Sequence, residues 1–291
     1  MANSNTMSNI KPTHHEYCIN LNNDIISNYF VIHMSNPLGK GSGGAAYKAK
    51  FKSNIGDYND DKINKLKELI TKDDPNNEKF LAIKYIKNYN EFDINEINIL
   101  MKISEENLKY NCKYYGCFYN KKIIYLIMEL VEGVTLQKFL EKNNMDNFKF
   151  YYDYNIFYRK KKQNSFLNYI IKVLEIITQV AKAIEELHNV NITHNDIKLD
   201  NIMINDKDKL EIKLLDYGIS CNLNDSLNNQ KYCNLQNGTF NYIVDEFIHD
   251  NEANVIYKTN LKEDIYIDML KKKIGILLGY CYLTYCFLIQ T

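Results

Sequence analysis

The string His194-Asn-Asp-Ile-Lys-Leu-Asp-Asn201 sets a lysine two residues and an asparagine five residues after Asp196, and Asp216-Tyr-Gly218 follows fifteen residues beyond Asn201. Phosphoryl transfer asks for such a set: a carboxylate to orient a hydroxyl, a cation near the moving phosphoryl, and oxygen ligands for Mg²⁺. A polar Asp/Asn loop is the plain alternative in so Asn-rich a chain. Upstream, Leu38-Gly-Lys-Gly-Ser-Gly-Gly-Ala-Ala-Tyr47 carries Gly39, Gly41 and Gly44 in G-x-G-x-x-G spacing. Without a Cβ, such positions let backbone N–H groups approach phosphate oxygens. A glycine-rich hairpin turn explains the same residues nearly as well, and a dinucleotide site would need a helix where Ala45 to Phe51 reads as strand. Lys84 closes the apolar strand Leu81-Ala-Ile-Lys84, where an ammonium needs either a carboxylate or solvent. Glu96, on the helix that follows, is the carboxylate in reach.

The elements that must position these residues are of two kinds. Phe80 to Ile86 and Ile123 to Val131 are β-branched apolar runs, the second preceded by a turn at Asn120-Lys121. Between them the spacing predicts a helix over Glu91 to Ile103 from Ile97, Leu100, Met101 and Ser104. A longer helix is predicted from Leu167, Ile170, Ile171, Leu174, Ile177, Ala181, Ile184 and His188, and two strands, Asn201 to Ile204 and Leu210 to Leu215, follow it. The expected architecture is an α+β domain of two lobes with a cleft between them, a β-rich lobe over about 31–130 and a helical lobe over about 131–291. Residues 1–30 read as a polar N-terminal extension. Polar segments at about 52–79 and 141–165 read as surface insertions, the first with a short helix at Lys62 to Ile70.

Composition narrows the function classes. The 291 residues carry 36 basic and 36 acidic side chains, so no whole-protein field recruits nucleic acid or anionic membrane. Arg159 is the lone arginine among those basic residues, which removes any mechanism that needs a bidentate guanidinium elsewhere. The seven cysteines are scattered and never spaced C-x-x-C, which argues against a disulfide framework or zinc site and for a reducing compartment. Met1 to Pro12 has no apolar core of a secretory signal, so an intracellular, cytoplasmic protein is expected. Ile274 to Ile289 is apolar but short for a bilayer span and reads as a buried helix, with a tail anchor as the alternative.

Taken in order, these motifs resemble those of the eukaryotic-type protein kinases over roughly Asn36 to Asp264. The resemblance implies a two-lobed kinase fold that uses ATP and Mg²⁺ and phosphorylates Ser/Thr hydroxyls of protein substrates, with Asp196 as catalytic base and Lys198 at the γ-phosphoryl. Leu38, Gly39, Gly41, Gly44 and Ala46 would cover the nucleotide, Lys84 would hold its phosphates against Glu96, and Asn201 and Asp216 would ligate Mg²⁺. Met128-Glu-Leu-Val131 is similar to the family's hinge, with the backbone of Glu129 and Val131 facing adenine; Gly238-Thr239 is similar to the serine/threonine branch's substrate-facing turn. The departures are Asn195 for the usual arginine, which removes the counter-charge for a phosphorylated activation segment, Tyr217 for phenylalanine and Gly43 for an aromatic, read as changes of packing, and Ile243-Val-Asp-Glu246 for the usual A-P-E. With 27 residues after Asp264, the large lobe is expected to be shortened and the flank of Ile274 to Ile289 to serve self-association or a partner. A pseudokinase or scaffold with little catalysis is the alternative function, and a small-molecule kinase a further one.

Overall fold

The computed structural model describes residues 18–21, 24–41, 44–52, 60–89, 91–144, 160–207 and 209–222, which fall into two compact units. The first takes the chain up to Ile97 and Tyr114–Leu130; Asn98–Lys113 and the chain from Val131 make the second.

In the first unit the elements are β1 (Ile19–Asn20), β2 (Phe30–Gly41), β3 (Gly44–Phe51), helix α1 (Asp61–Asp73), β4 (Leu81–Lys87), the start of helix α2 (Glu91–Glu105), which from Asn98 on belongs to the second unit, β5 (Tyr114–Tyr119) and β6 (Ile123–Glu129). The strands form one sheet in the order β1-β5-β6-β4-β3-β2. Every neighbouring pair is antiparallel except β1 with β5. Pro37 lies in β2, an edge strand, where a missing N–H costs the sheet least.

Alternation in β4 divides the sheet into two faces. Leu81, Ile83 and Tyr85 join Ala49, Tyr125 and Ile127 in an apolar cluster, while Ala82 and Lys84 point the other way. That cluster includes Ile63, Leu66 and Ile70 of α1, together with Ile19, Leu21, Ile26, Tyr29 and Phe30. Two expectations are corrected here. The stretch 18–30, expected as the end of a polar extension, contributes a strand and core side chains. The segment 52–79, expected as a surface insertion, supplies a helix longer than predicted whose buried residues at i, i+3 and i+7 make it a layer of the core. Asp60 caps α1 by accepting a hydrogen bond from the Lys62 N–H, and the Asp74 carboxylate ends it by accepting from the Glu78 and Lys79 N–H groups.

The cysteine expectation also changes. Cys18 and Cys117, separated by 99 residues, are joined by a disulfide with their Cα atoms 4.6 Å apart. A search for close sequence spacing misses this pair, because only the Ile19↔Phe118 register of β1 on β5 makes the two neighbours. Cys112 is buried.

In the second unit, β7 (Val134–Thr135) leads into α3 (Leu136–Asn144), and the 30-residue helix α4 (Lys160–Asn189) precedes β8 (Ile192–Thr193), a 3-10 turn (Leu199–Asn201), β9 (Ile202–Asn205), β10 (Glu211–Leu214) and β11 (Cys221–Asn222). The second expected insertion therefore overlaps the end of α3 and the start of α4. Strands pair in the order β10-β9-β7, and β11 pairs with β8. The helix α4 is present as predicted, but its phase is shifted. Ile176, Val180, Ala183, Ile184 and Leu187 are buried, whereas Ile171 and Leu174 are 59% and 57% exposed and Ala181 is exposed. Apolar residues occur on more than one face of so long a helix, and the stripe that meets β8 and β10 is the one buried. Gln179 joins that stripe, its amide donating to Leu210 O and accepting from the Ile212 N–H.

The layer role of α1 gives a direct expectation: Leu66→Ala lowers stability by about 2–5 kcal/mol, the range for a large-to-small change in a packed core. Chemical denaturation of the parent and variant measures it, and a loss well under about 1 kcal/mol would return α1 to the status of a surface addition.

Candidate active site

The first unit brings together the residues expected around a nucleotide. Strand register places Gly39, Ala46, Lys84 and Leu126 in one row across β2, β3, β4 and β6. Lys84 Nζ donates to both Glu96 oxygens, at 2.7 and 3.0 Å, and the side chains are 13% and 3% exposed. An ammonium and a carboxylate so far out of water are tenable only together, so the ion pair is the solution the strand and helix impose on each other. The glycines divide by cause. Gly44 has φ +119° and a Cβ there would lie 2.0 Å from Tyr85 O of β4, so both its backbone conformation and the close approach of the neighbouring strand require glycine. At Gly39 and Gly41 nothing lies within 4 Å of a Cβ, so packing does not ask for glycine and the space is open. Leu38 is exposed on the same strand, and Glu129 ends β6 opposite Leu81. Val131 belongs to the second unit.

The second unit assembles the polar loop. Asp196 Oδ2 accepts from Lys198 Nζ at 2.7 Å and from Asn201 Nδ2 at 2.9 Å, and Asn201 also donates to Asp196 O at 2.9 Å. The 3-10 turn makes this possible by folding Asn201 back under Asp196, closed by a bond from the Asn201 N–H to Lys198 O. Asn201 O then accepts the Leu215 N–H at 2.9 Å, which brings the end of β10 and Asp216 to the same loop. The expected residues Asp196, Lys198, Asn201 and Asp216 are thus gathered within one unit.

His194 and two left-handed residues fix the loop. His194 Nε2 is 3.0 Å from Leu215 O and its Nδ1 accepts the Asp196 N–H at 3.3 Å, which together select the neutral ring protonated on Nε2. Burial holds the imidazole below the ordinary 6.5, against a smaller upward pull from the Asp196 and Asp216 carboxylates. Asn195 and Asp216 both have φ +64°, a region Asn and Asp enter more readily than other residues with a Cβ. Asn195 Nδ2 donates to Ile219 O at 3.1 Å, and its Oδ1 is buried without a hydrogen-bond partner. Ser220 Oγ donates to His194 O, and β11 pairs with β8, so the chain beyond Asp216 is laced to the chain before Asp196.

Sequence reasoning gave His194 no role of its own and passed over Asn111 and Glu186, which hold Tyr217. The Leu215 partner of His194 lies 21 residues on, and Asn111 meets Tyr217 and Glu186 across 106 and 75 residues, so only the fold connects them. A cavity of about 360 Å³ lined by Ser104, Asn107, Lys109, Lys113 and Lys213 sits where α2 ends and contains none of the expected residues. Gly238, Thr239, Glu246, Asp264 and the segment Ile274 to Ile289 lie outside the described residues. No helix among the described residues is long and apolar enough to cross a membrane.

A charged strand lysine paired to a helix glutamate, and an Asp-Lys-Asn loop beside a second aspartate, define a phosphoryl-transfer class of domain, and comparison with known proteins agrees. Residues 32–260 match the protein kinase domain, and the chain belongs to the protein kinase family. It is similar to a probable serine/threonine-protein kinase of Dictyostelium discoideum, 28% identical over 59% of this chain and 23% of that protein. A second from the same organism, the probable serine/threonine-protein kinase PLK, is 30% identical over 57% of this chain and 14% of its own length. A probable serine/threonine-protein kinase of Clostridium acetobutylicum is 33% identical over 35% and 12%. The chain therefore spans less than a quarter of the length of each of these relatives.

Burial of histidine sets a pH dependence. His194, and His188 likewise by burial, have folded-state values below 6.5, so the unfolded chain takes up protons that the folded chain does not. Their contribution to stability is full above about 6.5, is lost as pH falls from there through the folded values, and levels off below them. Urea midpoints are expected to drop between about pH 7 and about pH 5, and less steeply in His194→Gln; a parent profile flat across that window would contradict the neutral buried ring.

Proposed function

We propose that this domain transfers the γ-phosphoryl of ATP to serine or threonine hydroxyls of protein substrates. The observation that carries the reading is the Asp196–Lys198–Asn201 network joined through Asn201 O to the strand that delivers Asp216. The names of the relatives, probable serine/threonine-protein kinases, support the acceptor class.

The donor chemistry fits Mg²⁺. Asn201 uses its amide nitrogen on Asp196, so its carbonyl oxygen and the Asp216 carboxylate supply hard oxygen ligands. No cluster of three or more His, Cys, Asp or Glu side chains suited to a metal occurs among the described residues, and a short oxygen set suits an ion that keeps water and substrate phosphates in its shell. When bound, Mg²⁺ would neutralise charge on the phosphates during transfer.

The chain's own residues then have defined work. Gly39 and Gly41 leave room for backbone N–H groups to meet phosphate oxygens, and Lys84, oriented by Glu96, presents its charge to them. Leu38 and Ala46, with the backbone at Glu129 and Val131, would hold the base. Asp196 accepts the proton of the incoming hydroxyl at its carboxylate, and Lys198 Nζ, 2.7 Å from that carboxylate, offers the positive charge for the moving phosphoryl.

Lys84→Met and Asp196→Asn are each expected to reduce phosphoryl transfer by about 10²-fold or more; Lys84→Met also lowers the thermal midpoint, because Glu96 is left buried without its cation, whereas Asp196→Asn leaves it near the parent's. Radiolabel transfer from ATP–Mg²⁺ to a generic protein substrate measures it. A parent that binds nucleotide but transfers no label at all would favour the scaffold alternative.

A further inference from the structure

Tyr217 was expected to replace phenylalanine as a change of packing, and the structure gives its hydroxyl a task. The side chain is 1% exposed, and the hydroxyl lies 2.9 Å from Asn111 Oδ1 and 3.2 Å from Leu214 O. Leu214 O already accepts the Cys112 N–H at 3.1 Å, so the shorter contact to Asn111 is the one that needs this proton. The orientation of the Asn111 amide is set from its other end: Nδ2 donates to Glu186 Oε2 at 3.0 Å and toward Ala183 O at 3.4 Å, both acceptors. Turned over, the amide would set an oxygen against each. Glu186 in turn accepts the backbone N–H groups of Lys109 and Tyr110, so the relay ends on a carboxylate fixed to α4.

This relay closes around Asp216. Leu214 bridges to Asn111 on the backbone, and the Tyr217 side chain returns to the same Asn111, so the turn between them is fastened at both ends to one fully buried residue. Inside it, Leu215 is held by Asn201 O and by the His194 ring, and Asp216 adopts φ +64°. A left-handed aspartate persists where its surroundings over-determine it.

We propose that the Tyr217 hydroxyl is a positioning group: anchored through Asn111 to Glu186, it holds Asp216 in the left-handed conformation from which it takes Mg²⁺. The metal role of Asp216 rests on the function proposed above, and the test separates the two. In the full chain, Tyr217→Phe keeps the ring and removes only the hydroxyl. Amide hydrogen exchange over residues 215–220 is expected to quicken about tenfold, the factor a hydrogen bond to a buried partner is worth, while exchange in β4 and β6 stays at the parent rate. In Mn²⁺ titrations with ATP present, half-saturation is expected to rise by a similar factor with nucleotide affinity in the absence of metal unchanged. Adding Tyr217→Phe to Asn111→Leu is expected to cost nothing further, since the acceptor is already gone. Unchanged exchange in Tyr217→Phe overturns the proposal, as does faster exchange with no shift in the Mn²⁺ requirement, or full additivity with Asn111→Leu. If the parent takes up no Mn²⁺, the ligand reading of Asp216 falls, while exchange in Tyr217→Phe, which needs no metal, still decides whether the hydroxyl holds the segment.

Discussion

The register of β4 is the constraint on which the first unit depends. Lys84 alternates with Ile83 and Tyr85, so a slip by one residue would drive an ammonium into the cluster of Phe30, Phe118, Ile127 and Leu66 and leave Glu96 buried alone. Both outcomes cost far more than a surface ion pair could return. The layer formed by α1 and residues 18–30 thus contributes to the chemistry at a distance. By giving the sheet a second, fully apolar face, it leaves the pairing of β4 with β3 and β6 a single workable alignment. The disulfide between Cys18 and Cys117 ties β1, the outermost part of that layer, to β5.

The second unit solves a different problem, holding backbone in conformations that it would not choose. Asn195 and Asp216 are both left-handed, and each is flanked by bonds that leave little alternative. The Leu215 N–H and O are taken by Asn201 and His194, while Asn195 and Ser220 fasten the chain on the far side of Asp216. Because His194 is buried, its bonds to Asp196 N and Leu215 O act where water does not compete, and the same burial keeps the ring neutral and able to accept at Nδ1. One histidine therefore couples the loop of Asp196 to the turn of Asp216.

What could be read in the sequence follows the distance over which each feature acts. Asp196, Lys198 and Asn201 lie within six positions because one turn must fold them together, and Lys84 and Glu96 are 12 apart, so their chemistry shows as spacing. The strands β4 and β6 and the helix α2 were visible as periodicity for the same local reason. Features made by the fold were not. Asn111 and Tyr217 are 106 residues apart, and Cys18 and Cys117 99. The buried stripe of α4 was misplaced because its apolar residues cover more than one face, and only what packs against the helix selects among them. The helix α1 was half seen: its polar flanks marked an insertion, while Ile63, Leu66 and Ile70 already had the spacing of a buried face.

A chain with a single arginine must also divide the labour of recognition differently. Arg159 lies outside the described residues, and among the described residues no guanidinium fork orients the groups around Asp196 or Glu96. Lysine supplies charge there as a compact ammonium with little directional demand, as when one Nζ reaches both oxygens of Glu96. Direction comes from asparagine instead. Asn201 fixes Asp196 through a side-chain and a backbone oxygen, Asn195 fixes Ile219, and Asn111 aligns Tyr217 with Glu186. An amide has a donor and an acceptor at fixed geometry and no charge to desolvate, which lets it be buried where a guanidinium would need a counter-ion. The Asn-rich composition, which at first recommended reading the loop as ordinary polar sequence, is therefore also the material from which the site's geometry is built.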